Sequence, residues 1–155
     1  MRNRKHRAQS SLELLITVSF GLVVLLPIVI LAFMQISTSS SNLAVSEAQS
    51  AATKLAEVAS IIGSQGAPAK ELILIQVPPG VNSINVGTQT NGLGHAITFV
   101  VNTNAGPSDA VAYSPVNVSG SLSSIVSQGT YLVNVSAQSS CPSMPSMPCV
   151  YISST

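Results

Sequence analysis

Three features of this sequence predict an α+β fold: a long N-terminal hydrophobic α-helix followed by a small antiparallel β-sandwich (Ig-like) head. The stretch from Leu14 to Met34 is apolar apart from Thr17, Ser19, Gly21 and Pro27, and the apolar run reaches Ile36. A one-sided stripe at helical spacing follows as far as Ile62. Beyond Gly63 the pattern changes to short segments separated by Gly, Pro and Asn, which marks strands and turns.

The chain of 155 residues has room for one domain of ordinary size plus one long element. It is 46% hydrophobic and only 7% charged, a balance that suits an extracellular β-rich surface. The net charge of +1 is concentrated: four of the six basic residues, Arg2, Arg4, Lys5 and Arg7, occupy the first seven positions. Without them Lys54 and Lys70 face Glu13, Glu47, Glu57, Glu71 and Asp109. The body is therefore mildly acidic and lacks the basic patch that nucleic-acid binding needs.

Residues 1–8 form a basic leader. The apolar run behind it has about the length that crosses a bilayer, and by the positive-inside rule the leader stays cytoplasmic while everything after Ile36 is outside. A secretory signal peptide would carry an apolar core of only about 7–15 residues with its cleavage site after it; here the run is longer and the polar site precedes it. Pro27 removes one helical hydrogen bond and is expected to kink or loosen the helix. The hydroxyls of Ser37-Thr-Ser-Ser-Ser-Asn either bond back to the helix or break it; continuation is favoured because helical spacing resumes at once.

From there Val45, Ala48, Ala52, Leu55, Ala59 and Ile62 fall on one face, with Glu47, Gln49, Lys54 and Glu57 outside it. Gly63 is a plausible stop. The expected organisation is thus a leader, a helix over 9–62 with its membrane or polymerisation part at 9–36 and an amphipathic part at 37–62, and a head over 64–155. A helix from 10 to 62 would measure about 80 Å at 1.5 Å per residue, and only roughly 30 Å of it fits within a membrane. The rest must pack on something else.

Strands are expected at Glu71–Val77, Ser83–Val86, His95–Asn102, Ala110–Tyr113, Val116–Ser119, Thr130–Ser136 and Val150–Ser153, with turns at Pro78-Pro-Gly and Asn91-Gly. Ser121–Gln128 reads as a loop or one helical turn. Six or seven strands at this spacing suggest a small sandwich. Cys141 and Cys149 enclose Pro-Ser-Met-Pro-Ser-Met-Pro and read as a disulfide of an oxidising compartment. A metal site is not expected, since two sulfurs with only distant His95 do not complete a shell.

Glu13 is the most informative single residue. A carboxylate in hydrocarbon costs several kcal/mol or more unless a positive group meets it, and every nearby positive residue lies upstream of Gln9. A Glu in the first turn of a helix would be favoured by the helix dipole, yet that does not account for its setting among Leu12, Leu14, Leu15 and Ile16. Cleavage between Ala8 and Gln9 would create an amine four residues away. On the same helix that amine is one partner open to Glu13; in a packed array the amine of the next copy can meet this carboxylate and set the axial register.

Arg7-Ala-Gln-Ser-Ser-Leu-Glu-Leu-Leu-Ile resembles the processing site of archaeal type IV pilins with class III signal peptides. Gln9, Ser11 and Glu13 match that motif, and Thr17 departs from it where the family prefers Leu. Pro78-Pro-Gly-Val and Tyr113-Ser-Pro-Val-Asn-Val-Ser-Gly also resemble segments of such heads. The resemblance implies cleavage before Gln9 by a pre-pilin peptidase, retention of the apolar helix and its polymerisation as a filament core, with Gln9, Ser11 and Glu13 serving assembly and register.

Asn117-Val-Ser and Asn134-Val-Ser are N-glycosylation sequons. No catalytic set and no cofactor site is expected: His95 reads as a half-buried strand residue, Asp109 as a turn former, and no Ser has a base beside it. The expectation is a filament subunit at the archaeal cell surface, held by the membrane before assembly. Its partners are copies of itself through their N-terminal helices, a peptidase and membrane assembly machinery, and surface or cell-cell targets. Alternatives are a minor pilin or pseudopilin, an archaellin-like subunit, which Pro27 and the Gln9 motif disfavour, and a monomeric single-span surface binding protein.

Overall fold

The computed structural model describes residues 3–88 and 92–155, with side chains from residue 12 onward. The elements in order are α1 (Asn3–Gln65), β1 (Lys70–Val77), β2 (Val81–Gly87), β3 (Gly94–Thr103), β4 (Gly106–Ser121), β5 (Gly129–Gln138) and β6 (Cys149–Ser154). They form two compact units, Met1–Ser39 and Ser40–Thr155, and α1 contributes to both.

Helix α1 continues through Pro27 and through the serine-rich stretch. There the Thr38 hydroxyl donates to the Met34 carbonyl at 3.0 Å, so a side chain able to break the helix closes back on it instead. At the other end α1 passes the stop expected at Gly63 and runs to Gln65. Gly66 ends it with φ 74°, a left-handed conformation that costs glycine little, and its N–H donates to the Ile62 carbonyl at 3.1 Å. Gly63 answers a different need: a Cβ there would lie 2.8 and 2.9 Å from the two methyls of Val116 on β4.

The six strands make a single sheet of order β1-β5-β6-β4-β3-β2, not the two facing sheets of a sandwich. All neighbours are antiparallel except β4 and β6, which run parallel over Val118–Ser121 and Val150–Ser153. Within Ser40–Thr155 the second layer is the helix itself. Of the expected stripe, Ala48, Ala52, Leu55, Ala59 and Ile62 are buried in one core with Ile75, Ile84, Phe99, Val118, Val133 and Ile152 from the sheet, Ala44 joins them, and Val45 is only half-buried at its margin. Small alanines let the helix approach the strands closely, and alternation on the strands turns one apolar face toward it.

Two strands expected separately, Ala110–Tyr113 and Val116–Ser119, are one long β4. Between them the register against β3 shifts, from Ala96 opposite Tyr113 to Gly94 opposite Val118. Pro115 lies in that irregularity, where a missing N–H breaks no ladder bond. Asp109, expected in a turn, is an exposed residue of β4 opposite Val100, and the turn lies at Asn104-Ala105. Asn91 of the expected hairpin lies outside the described residues. Ser121–Gln128 is largely a loop, with Leu122 and Ile125 buried under it and the Ile125 N–H donating to the Leu122 carbonyl at 3.2 Å.

Candidate functional site

The first unit contains the apolar segment. Every large apolar side chain from Leu12 to Ile36 is exposed, from 47% at Val24 to 72% at Phe20, and the helix is long and apolar enough to cross a membrane. Thr17 fits that setting because its hydroxyl donates to the carbonyls of Glu13 and Leu14 at 2.8 and 3.0 Å, leaving its methyl to face outward. Pro27 has no N–H, so the Val23 carbonyl lacks its helical partner there.

Glu13 is exposed and lies ten residues into α1, not in its first turn. The favourable dipole of a helix end is confined to the first turn, so it does not account for Glu13 in the uncut chain. One turn away on either side stand Gln9, Ser10, Ile16 and Thr17, none of them positive. The side chains of Ala8, Gln9 and Ser11 lie outside the described residues.

In the second unit Cys141 and Cys149 are joined, with Cα atoms 5.4 Å apart. The loop they close is ordered by its own backbone: Met144 N–H donates to the Cys141 carbonyl, Met147 N–H to Met144, and Cys141 N–H back to Met147. Ser143 of this loop meets the buried Ser119 hydroxyl at 3.1 Å, which seats the loop on β4. Ser119 is the hydroxyl residue of the Asn117 sequon. Asn134 lies on β5 between Leu72 of β1 and Ser153 of β6. It alternates with buried Val133 and Val135, so it points to the outer face of the sheet, where Leu72, Leu74 and Leu132 are exposed.

No family model, no curated protein and no solved structure matches the chain.

Folding brings together groups that are far apart in sequence. His95, Asn117, Gln138 and Cys149 all line one pocket beside the end of α1. His95 is exposed on β3, not half-buried, and its Nδ1 lies 3.1 Å from the Ser114 carbonyl. Lys54, which lies off the helical stripe, donates to the Leu74 carbonyl at 2.8 Å, capping an outward backbone group of edge strand β1. On the other side Gln49 Nε2 donates to the Val111 carbonyl of β4 at 2.9 Å. No spacing in the sequence announces these contacts, because each joins the helix to a strand chosen only by the topology. Among the described residues no group of three or more His, Cys, Asp or Glu is placed to hold a metal.

Proposed function

We propose that the chain is a structural subunit of a type IV pilin-like extracellular filament, cut before Gln9 and polymerised through its N-terminal helix. The observation that carries this reading is the wholly exposed apolar segment from Leu12 to Ile36 with one carboxylate, Glu13, near its start. Apolar side chains left exposed over such a length call for cover by lipid or by copies of the same segment. Glu13 separates the two, since lipid offers it no counter-charge and a neighbour's new N-terminal amine does.

The membrane holds the segment first, and assembly exchanges lipid contacts for helix contacts. Filament growth needs a surface that meets a different surface on the next copy without closing. The disulfide and the low charge of the head suit the outside of the cell. A sugar on the outward-facing Asn134 would cover Leu72, Leu74 and Leu132; Asn117 lines a pocket and is the weaker acceptor.

Mass spectrometry of material sheared from the cell surface tests the reading, with a chain beginning at Gln9 expected, in filaments. A chain retaining Met1 or Arg2 and found only singly in the membrane would overturn it in favour of an anchored surface protein. Glycopeptides from the same digest are expected to carry sugar at Asn134.

A further inference from the structure

The sheet ends in two edge strands, β1 and β2, and the two are not alike. An edge exposes a row of unpaired N–H and C=O groups, which proteins usually guard with charge or with a covering side chain. β1 is guarded in both ways: it begins with Lys70-Glu71, and Lys54 of α1 reaches its Leu74 carbonyl. β2 has neither guard. No Asp, Glu, Lys or Arg stands between Glu71 and Asp109, and among the described residues no hydrogen bond outside the ladder with β3 reaches residues 82–86. The register irregularity at Asn82 leaves residues 83–87 regularly paired with β3. Along that stretch Ile84 and Val86 are buried in the core, so the half-buried Asn85 between them faces the outer side of the sheet.

We propose that β2 pairs antiparallel with β2 of a second copy of this chain, centred on Asn85. Alternate residues of β2 turn their N–H and C=O away from β3, and a two-fold axis at Asn85 sets that row against itself, each donor meeting an acceptor. Two features favour a second copy over a foreign strand. A row without charge does not repel its own copy, whereas like charges directly opposite would. A carboxamide both donates and accepts, so two Asn85 side chains placed opposite one another satisfy each other. In this register Ile84 lies opposite a second Val86 on the core side, so the two sheets run on as one with matching faces. Growth stops there, because the edge left at each end is the guarded β1, and an isologous contact closes at two chains.

Pairing of two chains does not depend on the proposed filament, but one consequence rests on it. Where the helices join copies along a filament, β2 edges at its surface would tie neighbouring filaments side by side, many weak contacts adding up to a strong one.

The test uses the full chain in detergent micelles, read by sedimentation and by mild oxidative cross-linking. Dimers are expected, and Asn85→Cys is expected to cross-link at least about tenfold faster than Ser83→Cys, because only position 85 faces itself within disulfide reach. Asn85→Asp and Asn85→Lys each set like charges opposite one another and are expected to weaken the dimer about tenfold or more, while an equimolar mixture of the two restores it. Gln76→Asp, on the β1 edge, leaves it unchanged. The proposal is overturned if no dimer forms, if cross-linking is equally fast at positions 83 and 85, or if the mixture pairs no better than either variant alone. A dimer held through the apolar segments would be insensitive to all of these changes and would overturn it as well. So would displacement of the second copy by the neutral peptide acetyl-Thr-Val-Thr-Val-Thr-amide at lower concentration than by a peptide of residues 81–87, which would mark the edge as a site for foreign strands. Because pairs of free chains are measured, failure leaves the filament reading standing, and failure to polymerise leaves the β2 contact standing.

Discussion

At the scale of single residues, Gly63 is where the helix meets the sheet through a side chain that can be changed. It lies in the last two turns of α1, and a methyl group there would press into both methyls of Val116 at 2.8 and 2.9 Å. Gly63→Ala gains helix propensity of about 1 kcal/mol but overpacks this contact, at a cost of about 1–3 kcal/mol. The two are close in size, so the second site decides the sign. Paired with Val116→Ala, which makes room, Gly63→Ala is expected to be stabilising relative to Val116→Ala alone; by itself it is expected to lower the unfolding midpoint of the full chain in detergent. A double-mutant cycle read by circular dichroism measures the coupling. Equal effects in both backgrounds would mean that Val116 does not limit the approach.

Among the elements, α1 contains two kinds of leucine that composition alone does not distinguish. Leu55 is fully buried against the sheet, while Leu25 is 58% exposed. Leu55→Ala is expected to destabilise the Ser40–Thr155 unit by about 2–5 kcal/mol, and Leu25→Ala to leave its unfolding unchanged, both measured by denaturant titration in detergent. The disulfide acts on the same unit from its C-terminal end. It closes a loop with a sequence separation of 8, so Cys141→Ser with Cys149→Ser should cost about 2–3 kcal/mol by loop-closure entropy. The buried stripe of α1 and the alternation within each strand were legible in the sequence, because both periods follow from backbone geometry. The single sheet was not. A strand with one apolar face reads the same whether a second sheet or a helix covers it, and nothing in Ile73-Leu-Ile or Thr98-Phe-Val names the Ala44–Ile62 stripe as its cover. The break expected between Tyr113 and Val116 failed for a similar reason. Pro115 stops a ladder only where its N–H is needed, and at the register shift in β4 it is not. The pocket was hidden too, since His95, Asn117 and Gln138 become neighbours only after β6 inserts between β4 and β5.

For the whole molecule, the proposed filament raises the question of what covers the apolar segment and what would fix one copy against the next. Greasy contacts alone allow many axial positions, because Leu, Ile and Val repeat along the face from Leu12 to Ile36 and sliding by one turn exchanges one such contact for another. In the filament proposed above, a single carboxylate would remove that degeneracy: only one register would put Glu13 against the amine that a cut before Gln9 creates, and every other would leave a desolvated charge unpaired. The same residue is not needed to enter the membrane, where an uncharged side chain is the better guest. Glu13→Ala is therefore expected to leave membrane insertion intact while cutting the filament yield at least about tenfold. Glu13→Gln, which keeps the shape and loses the charge, is expected to behave like Glu13→Ala. Membrane fractionation and electron microscopy of sheared material read the two quantities separately. Filaments of normal number from both variants would show that packing of the apolar face sets the register without the ion pair. Loss of membrane-bound chain along with the filaments would show instead that Glu13 acts before assembly.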